Sequence, residues 1–265
     1  MPGGGKGHII QLLVEGVISH AASLPVKRSA MEAELPEAVL WDMDGTLVDT
    51  ERLWGIALGE LAEHLGGKLS AEARAAIVGT NSWETMRLLF ADLDMELTPE
   101  SFAEADKWLE TRMHELFAED IPWRPGAERA LRMVRDAGLR AALVTSTERP
   151  LAERALDRIG RHWFDVTVAG DEVDGQNKPH PRPYLQAAQQ LGVEARRSVA
   201  VEDSPVGSAS AAAAGCGVIV VPNEVPVEAG ERLLLRETLE GLTMEDLRAA
   251  LALAAPAAVG GSGPM

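Results

Sequence analysis

The chain has 265 residues and a formal charge of −16, enough for one core of ordinary size plus a small insertion. So negative a surface argues against a nucleic-acid partner but not against a small phosphorylated ligand, because a metal or local cations set the field in a pocket. A single cysteine, Cys216, excludes an internal disulfide and fits a reducing cytoplasm.

Residues 1–36 read as an N-terminal extension. The apolar run Ile9 to Ile18 follows Lys6 and superficially resembles a secretion signal. Gln11 and Glu15 interrupt it, however, and no convincing cleavage site follows. The extension is either a mobile amphipathic tail or an artefact of the assigned start, since Met31 lies just before the first strand. No run reaches the ~18 apolar residues of a membrane helix, so no membrane partner is expected.

Val39, Leu40 and Trp41 form a short buried-strand pattern that stops at Asp42, and Asp44, Gly45 and Thr46 follow. A strand alternates its side chains, but the chain turns just beyond Asp42, so both carboxylates can reach one pocket. Two such carboxylates need a cation or a shared proton. A hard divalent ion such as Mg²⁺ meets that need with one or two carboxylates plus substrate oxygens and waters. Asp-Gly is also common hairpin punctuation, and on this motif alone both readings stand.

From Glu51 to Trp123 the pattern turns helical, with Leu53, Ile56, Ala57, Leu61 and Leu65 at three- and four-residue steps. Gly66-Gly67, Asn81-Ser82 and Thr98-Pro99 divide it into several helices. A strandless helical bundle over 52–123, inserted after the first strand, is expected. Pro122 and Pro125 mark the return to a core comprising 37–51 and 124–253. Hinges near Thr50 to Leu53 and Ile121 to Gly126 would let the bundle close over a site and exclude water.

Arg140 to Val144 is a second apolar strand, ending in Thr145, Ser146 and Thr147. Hydroxyls there either donate to a bound phosphate or cap a helix. Lys178 stands in the loop QNKPHPRPY, where Pro179, Pro181 and Pro183 stiffen the backbone. Ser198 to Val201 forms a third strand that ends in Glu202 and Asp203. Ser204 then reads as an N-cap with Pro205 at the first helical position. The six histidines show no metal-ligand spacing, so no zinc site is expected; His180 alone lies near a motif. Residues 254–265 are rich in small residues, Pro and Gly, and read as a disordered tail.

Together these strand ends place acids, a hydroxyl and a lysine at the carboxyl edge of one parallel α/β sheet, the edge where such sheets bind ligands. A metal and a lysine neutralise phosphate charge, and one carboxylate is left over as nucleophile.

The motifs DMDGT (Asp42, Asp44), LVTST (Thr145), NKP (Lys178) and VEDSPVG (Glu202, Asp203) resemble those of the haloacid dehalogenase superfamily. The likeness is to its phosphatases and β-phosphoglucomutase-like phosphomutases with a helical cap. The resemblance implies a Rossmann-like catalytic core with an inserted helical-bundle cap. It implies Asp42 as nucleophile, forming an aspartyl-phosphate, and Asp44 as general acid and then base. Thr145, with Ser146 beside it, and Lys178 would hold phosphoryl oxygens, and Lys178 would also steady Asp42. Mg²⁺ would sit on Asp42, the Asp44 carbonyl and Asp203, with Glu202 in or just behind that shell. Asp44 also favours phosphate ester chemistry, since the superfamily's dehalogenases lack an acid there. Asn177 departs from the glycine that commonly precedes the motif lysine.

The turn Val78 to Thr85 resembles the family's specificity loop, which makes Thr80, Asn81 and Trp83 cap specificity candidates. Trp83 and Trp54 stand where sugar mutases carry an arginine and a histidine, and an indole cannot grip a second phosphate as arginine does. Arg87 and Arg112 are the nearby cations. The expected protein is thus a cytoplasmic, Mg²⁺-dependent phosphomonoester hydrolase, monomeric or weakly dimeric, acting on a small phosphorylated metabolite such as a sugar or polyol phosphate. A phosphosugar mutase and a non-catalytic binder of phosphorylated ligands are the alternatives.

Overall fold

The computed structural model of the chain describes residues 34–118 and 121–254. The expectations for residues 1–33 and 255–265 lie outside those residues.

The first strand, β1 (Ala38–Trp41), is followed by four helices: α1 (Glu51–His64), α2 (Ala71–Ile77), α3 (Ser82–Asp92) and α4 (Pro99–Ala118). Helix α5 (Ala127–Asp136) then leads to β2 (Arg140–Val144), α6 (Arg149–Ile159), β3 (Val166–Val168) and α7 (Arg182–Leu191). The chain continues through β4 (Ser198–Glu202), α8 (Pro205–Ala214), β5 (Gly217–Val220), β6 (Leu233–Leu235) and α9 (Met244–Ala252).

The strands form one sheet in the order β3-β2-β1-β4-β5-β6, with every neighbouring pair parallel. This is the Rossmann-like α/β arrangement, in which strand order reverses beside the first strand. Alternation along the strands divides the core between two faces. Val39, Trp41, Val199 and Val201 enter the cluster shared with α1, α5 and α9. Leu40, Ala200, Val218 and Tyr184 enter the other. Both faces are covered, which is why the strands read as apolar runs rather than as alternating patterns.

The first of these clusters continues into helices α1 to α4. Leu53, Ala57, Leu58 and Leu61 of α1 meet Met86, Leu89 and Phe90 of α3 and Leu109 and Met113 of α4. The three- and four-residue spacing of α1 produces that buried stripe. No strand lies in 52–123 among the described residues, and strand-like pairing is confined to isolated bridges where the chain leaves and rejoins the core. There, Val48 bridges Asp44 in parallel and Trp123 in antiparallel. Asp49 N donates to Pro122 O at 2.9 Å and Arg124 N to Leu47 O at 2.9 Å. The outgoing and returning chains thus run side by side, paired through backbone groups that no side-chain pattern reveals. Among the described residues, no helix is long and apolar enough to cross a membrane.

Candidate active site

Strand register builds the site. Trp41 pairs with Val201 and with Leu143, so the next residues, Asp42 and Glu202, reach the carboxyl edge of the sheet side by side. Beyond Asp42 the turn passes through Gly45 at φ +80°, where a Cβ would lie 2.1 Å from Asp203 Oδ2. Only glycine permits that approach and that backbone. Ser204 caps α8 by accepting from Gly207 N at 3.1 Å, with Pro205 following as expected. A Cβ on Gly207 would meet the Glu202 carboxylate at 2.0 Å. A strand end and a helix start are thereby brought close enough to crowd three acids together.

Asp42, Glu202 and Asp203 are all buried and can each offer one oxygen within 4.8 Å of the others. Lys178 Nζ donates to Asp42 Oδ1 at 2.7 Å, to Glu202 Oε1 at 2.7 Å and to Val144 O at 3.0 Å. The Tyr184 hydroxyl, from the only tyrosine in the chain, donates to Glu202 Oε1 at 2.5 Å. Glu202 Oε2 accepts from Asp203 N and from the Ser204 hydroxyl. Every Glu202 oxygen is therefore taken by protein donors, whereas Asp42 Oδ2 and Asp203 Oδ2 are buried without a partner.

The electrostatics point the same way. Burial, then the charge of Glu202, pushes the Asp42 carboxyl up to about 8 against the pull of Lys178. Burial, then Asp42, raises Asp203 well above the carboxylate range. Burial pulls the Lys178 ammonium down, but Asp42 and Glu202 outweigh it and hold the group above its ordinary range. When ionised, the three carboxylates and one ammonium leave two uncompensated negative charges among buried side chains. A divalent cation supplies that charge, and this cluster, with Asp203 Oδ2 left unpartnered, offers donors of the hard type such an ion takes. The acidic cluster therefore fits a metal.

Asp44 is held differently. Its Oδ1 accepts from the Thr50 hydroxyl at 2.6 Å and from Trp54 Nε1 at 3.4 Å. Its Oδ2 accepts from Thr145 at 3.0 Å and Thr147 at 2.8 Å. Thr145 is thus buried against Asp44, while Ser146 and Thr147 line the cavity beside the acids. The Ser146 hydroxyl donates to Gly79 O at 3.1 Å, linking the sheet edge to the turn between α2 and α3.

The cavity, of about 110 Å³, is walled by Asp42, Asp44 and Asp203 from the core and by Trp54, Arg74 and Thr80 from the insertion. Thr80 lies on this wall, its hydroxyl donating to Ile77 O at 2.7 Å. Asn81 instead caps α3 by accepting from Glu84 N at 3.0 Å. Trp83 is 55% exposed and packs on Phe102 with ring centres 5.1 Å apart, so it faces away from the site. Arg87 pairs with Glu84, and Arg112 with Glu60 and Glu115; neither lines the cavity. His180 is exposed, accepting from Arg182 N at its own loop.

The cavity cation that spacing did not reveal is Arg74 of α2, bonded to Glu51 O at 2.9 Å and to Glu51 Oε2 at 2.8 Å. It also pairs with Glu224 Oε2 of the loop after β5 at 2.8 Å. Glu51 is buried, and burial pushes its carboxyl up to about 7 although Arg74 pulls it down. In sequence, Glu51 reads as an ordinary acid in a helix's first turn, and nothing in α2 marks Arg74.

Residues 39–221 match the sequence pattern of the family described as haloacid dehalogenase-like hydrolase. The chain belongs to that family. It is 34% identical over 187 residues to a phosphorylated carbohydrates phosphatase of Thermotoga maritima, covering 68% of this chain and 82% of that one. It is 33% identical over 218 residues to hexitol phosphatase A of Escherichia coli, covering 77% of this chain and 92% of the relative. The phosphate-bound crystal structure of CbbY from Rhodobacter sphaeroides superposes with a TM-score of 0.69 at 31% identity, covering 78% and 96% of the two chains. In this hydrolase of the family, Asp42, Asp44 and Asp203 line the cavity, and Lys178 meets them from behind through Asp42 and Glu202.

Proposed function

We propose that this chain hydrolyses the phosphate monoester of a small metabolite, a sugar or polyol phosphate, by way of an aspartyl-phosphate on Asp42. The observation that carries the reading is the division of labour on Asp42. Lys178 anchors Oδ1 at 2.7 Å, while Oδ2 is buried without a partner on a residue that lines the cavity. An oriented carboxylate with one free oxygen is suited to attack phosphorus. The relatives named as carbohydrate and hexitol phosphatases support the same class.

In the first step Asp42 Oδ2 bonds to phosphorus as the ester P–O bond breaks, and the leaving oxygen takes a proton from Asp44. In the second, water attacks phosphorus as Asp44 takes its proton, and the bond to Asp42 breaks. Thr50, Trp54, Thr145 and Thr147 hold Asp44 beside the cavity for both transfers. Ser146 and Lys178 stabilise the transferring group. Mg²⁺, held by Asp42 and Asp203 with Glu202 behind them, would offset phosphoryl charge there. Helices α1 to α4 act as a cap over the core, and the paired segments at Val48 and Trp123 serve as its hinge.

A mutase on the same aspartyl-phosphate must also hold a bisphosphate, which needs a second cationic grip. Arg74 is the candidate in the wall, and it is already committed to Glu51 and Glu224. Hydrolysis is therefore the reading adopted. The test is phosphate release across a panel of phosphorylated metabolites, with glucose 1-phosphate and glucose 6-phosphate followed by phosphorus NMR with and without glucose 1,6-bisphosphate. Net phosphate release without need of the bisphosphate is expected. Interconversion faster than release would make the protein a mutase.

A further inference from the structure

Beyond its catalytic acids the cavity has a further acidic wall. Asp106 and Glu110 of α4 and Glu148, the residue that precedes α6, line it together. Asp106 accepts a hydrogen bond from the Ser82 hydroxyl. Glu110 lies 3.6 Å from His114 Nε2. Burial, then the charges of Asp106, Asp171 and Glu110, raises the Glu148 carboxyl above its ordinary range. The basic residue lining the cavity, among the described residues, is Arg74, and both its ion-pair partners are carboxylates.

An acidic wall alone does not make a ligand site. This cavity is one on separate grounds: Asp42 and Asp203, only 6% and 3% exposed, line it with Oδ2 atoms that have no partner. A phosphoryl group placed at those atoms leaves the rest of its molecule in the cavity that Asp106, Glu110 and Glu148 also line. There it meets carboxylates, which when ionised only accept hydrogen bonds, and which repel any further anion.

We infer that Asp106, Glu110 and Glu148 select the non-reacting end of the substrate: a phosphate monoester whose far end carries hydroxyl or ammonium donors and no negative charge. This rests on the phosphatase reading above and narrows it. A bisphosphate or a phosphorylated carboxylic acid would set its second anion against these side chains. An amino sugar phosphate would place a cation there.

The test is competition against p-nitrophenyl phosphate turnover by four ligands of similar size: glucosamine 6-phosphate, glucose 6-phosphate, 6-phosphogluconate and glucose 1,6-bisphosphate. Apparent affinity should fall in that order, by roughly tenfold or more from first to last, since like-charge contacts are the costliest in an interface. The spread should narrow as salt is raised. In Glu148→Gln, and separately in Asp106→Asn, it should shrink by about three- to fivefold, the worth of one partly exposed charge pair. A flat series, tightest binding by the bisphosphate, or an unchanged spread in both variants would overturn the inference while leaving the hydrolase reading intact. No turnover of p-nitrophenyl phosphate or of any of the four would remove both.

Discussion

Lys178 Nζ lies 2.7 Å from Glu202 Oε1 where neither side chain meets solvent, so the ammonium of one loop and the carboxylate of one strand end are fixed against each other. Removing one partner of a buried pair leaves an uncompensated charge. Lys178→Met should therefore lose about 3–5 kcal/mol of stability in metal-free protein, read from the denaturant midpoint. Added Mg²⁺ should restore part of it by supplying the missing positive charge. A midpoint equal to the parent's would mean that the three acids do not depend on Lys178.

Asp42→Asn should abolish turnover while circular dichroism and thermal unfolding show a folded protein, because an amide is a poor nucleophile. Asp44→Asn should slow turnover by ~10²–10⁴-fold, the usual loss on removing general acid–base help. With p-nitrophenyl phosphate, whose leaving group needs little protonation, the loss in the phosphorylation step should be smaller. Equal losses for both kinds of ester in that step would remove Asp44 from the role of acid.

Metal dependence follows from the buried cluster of Asp42, Glu202 and Asp203, in which Asp203 Oδ2 has no partner. Chelation should stop activity, Mg²⁺ should restore it, and Ca²⁺, with its looser geometry and larger ligand number, should suppress it. Mg²⁺ should also raise the melting temperature of the inactive Asp42→Asn protein less than that of the parent, since binding to the folded state stabilises it in proportion to affinity. Asp203→Ala should raise the Mg²⁺ concentration needed for half-maximal rate. Full activity in verified metal-free protein would sink this reading.

Glu51 gives a pH signature. Burial raises its carboxyl from 4.5 to about 7 in the folded protein, so folding favours the protonated form. Its contribution is fully present below the unfolded value and is lost as pH rises through about 7. Relative to the parent, metal-free Glu51→Gln should gain stability between pH 5 and pH 8, measured by urea unfolding at each pH. A constant difference across that range would show that Arg74 compensates Glu51 completely.

Much of this was legible in the chain itself. Apolar runs that stop at Asp42, Thr145 and Glu202, and the cap at Ser204 and Pro205, are local features, and local chemistry suffices to place them on strand ends and a helix start. The helical spacing from Leu53 to Leu65 likewise marks α1, because a 3.6-residue period survives in any context. The sequence also marked Lys178 by its proline-stiffened loop.

What only the tertiary structure decided are relationships between side chains far apart in sequence. Trp83 reads like a specificity residue from its place in the turn, yet α3 rotates it onto Phe102 and out to solvent, while Trp54, two helices earlier, donates to Asp44. Arg74 looks like any helix arginine until α2 brings it between Glu51 and Glu224. Tyr184 has no motif, but α7 packs its hydroxyl on Glu202. Asp106, Glu110 and Glu148 become one wall because α4 and α6 flank a common cavity. Backbone periodicity is set by neighbours within a turn or two, and so it can be read along the chain. The field at a carboxylate depends on charges and on excluded water a few ångströms away in space, which the packing of whole helices determines.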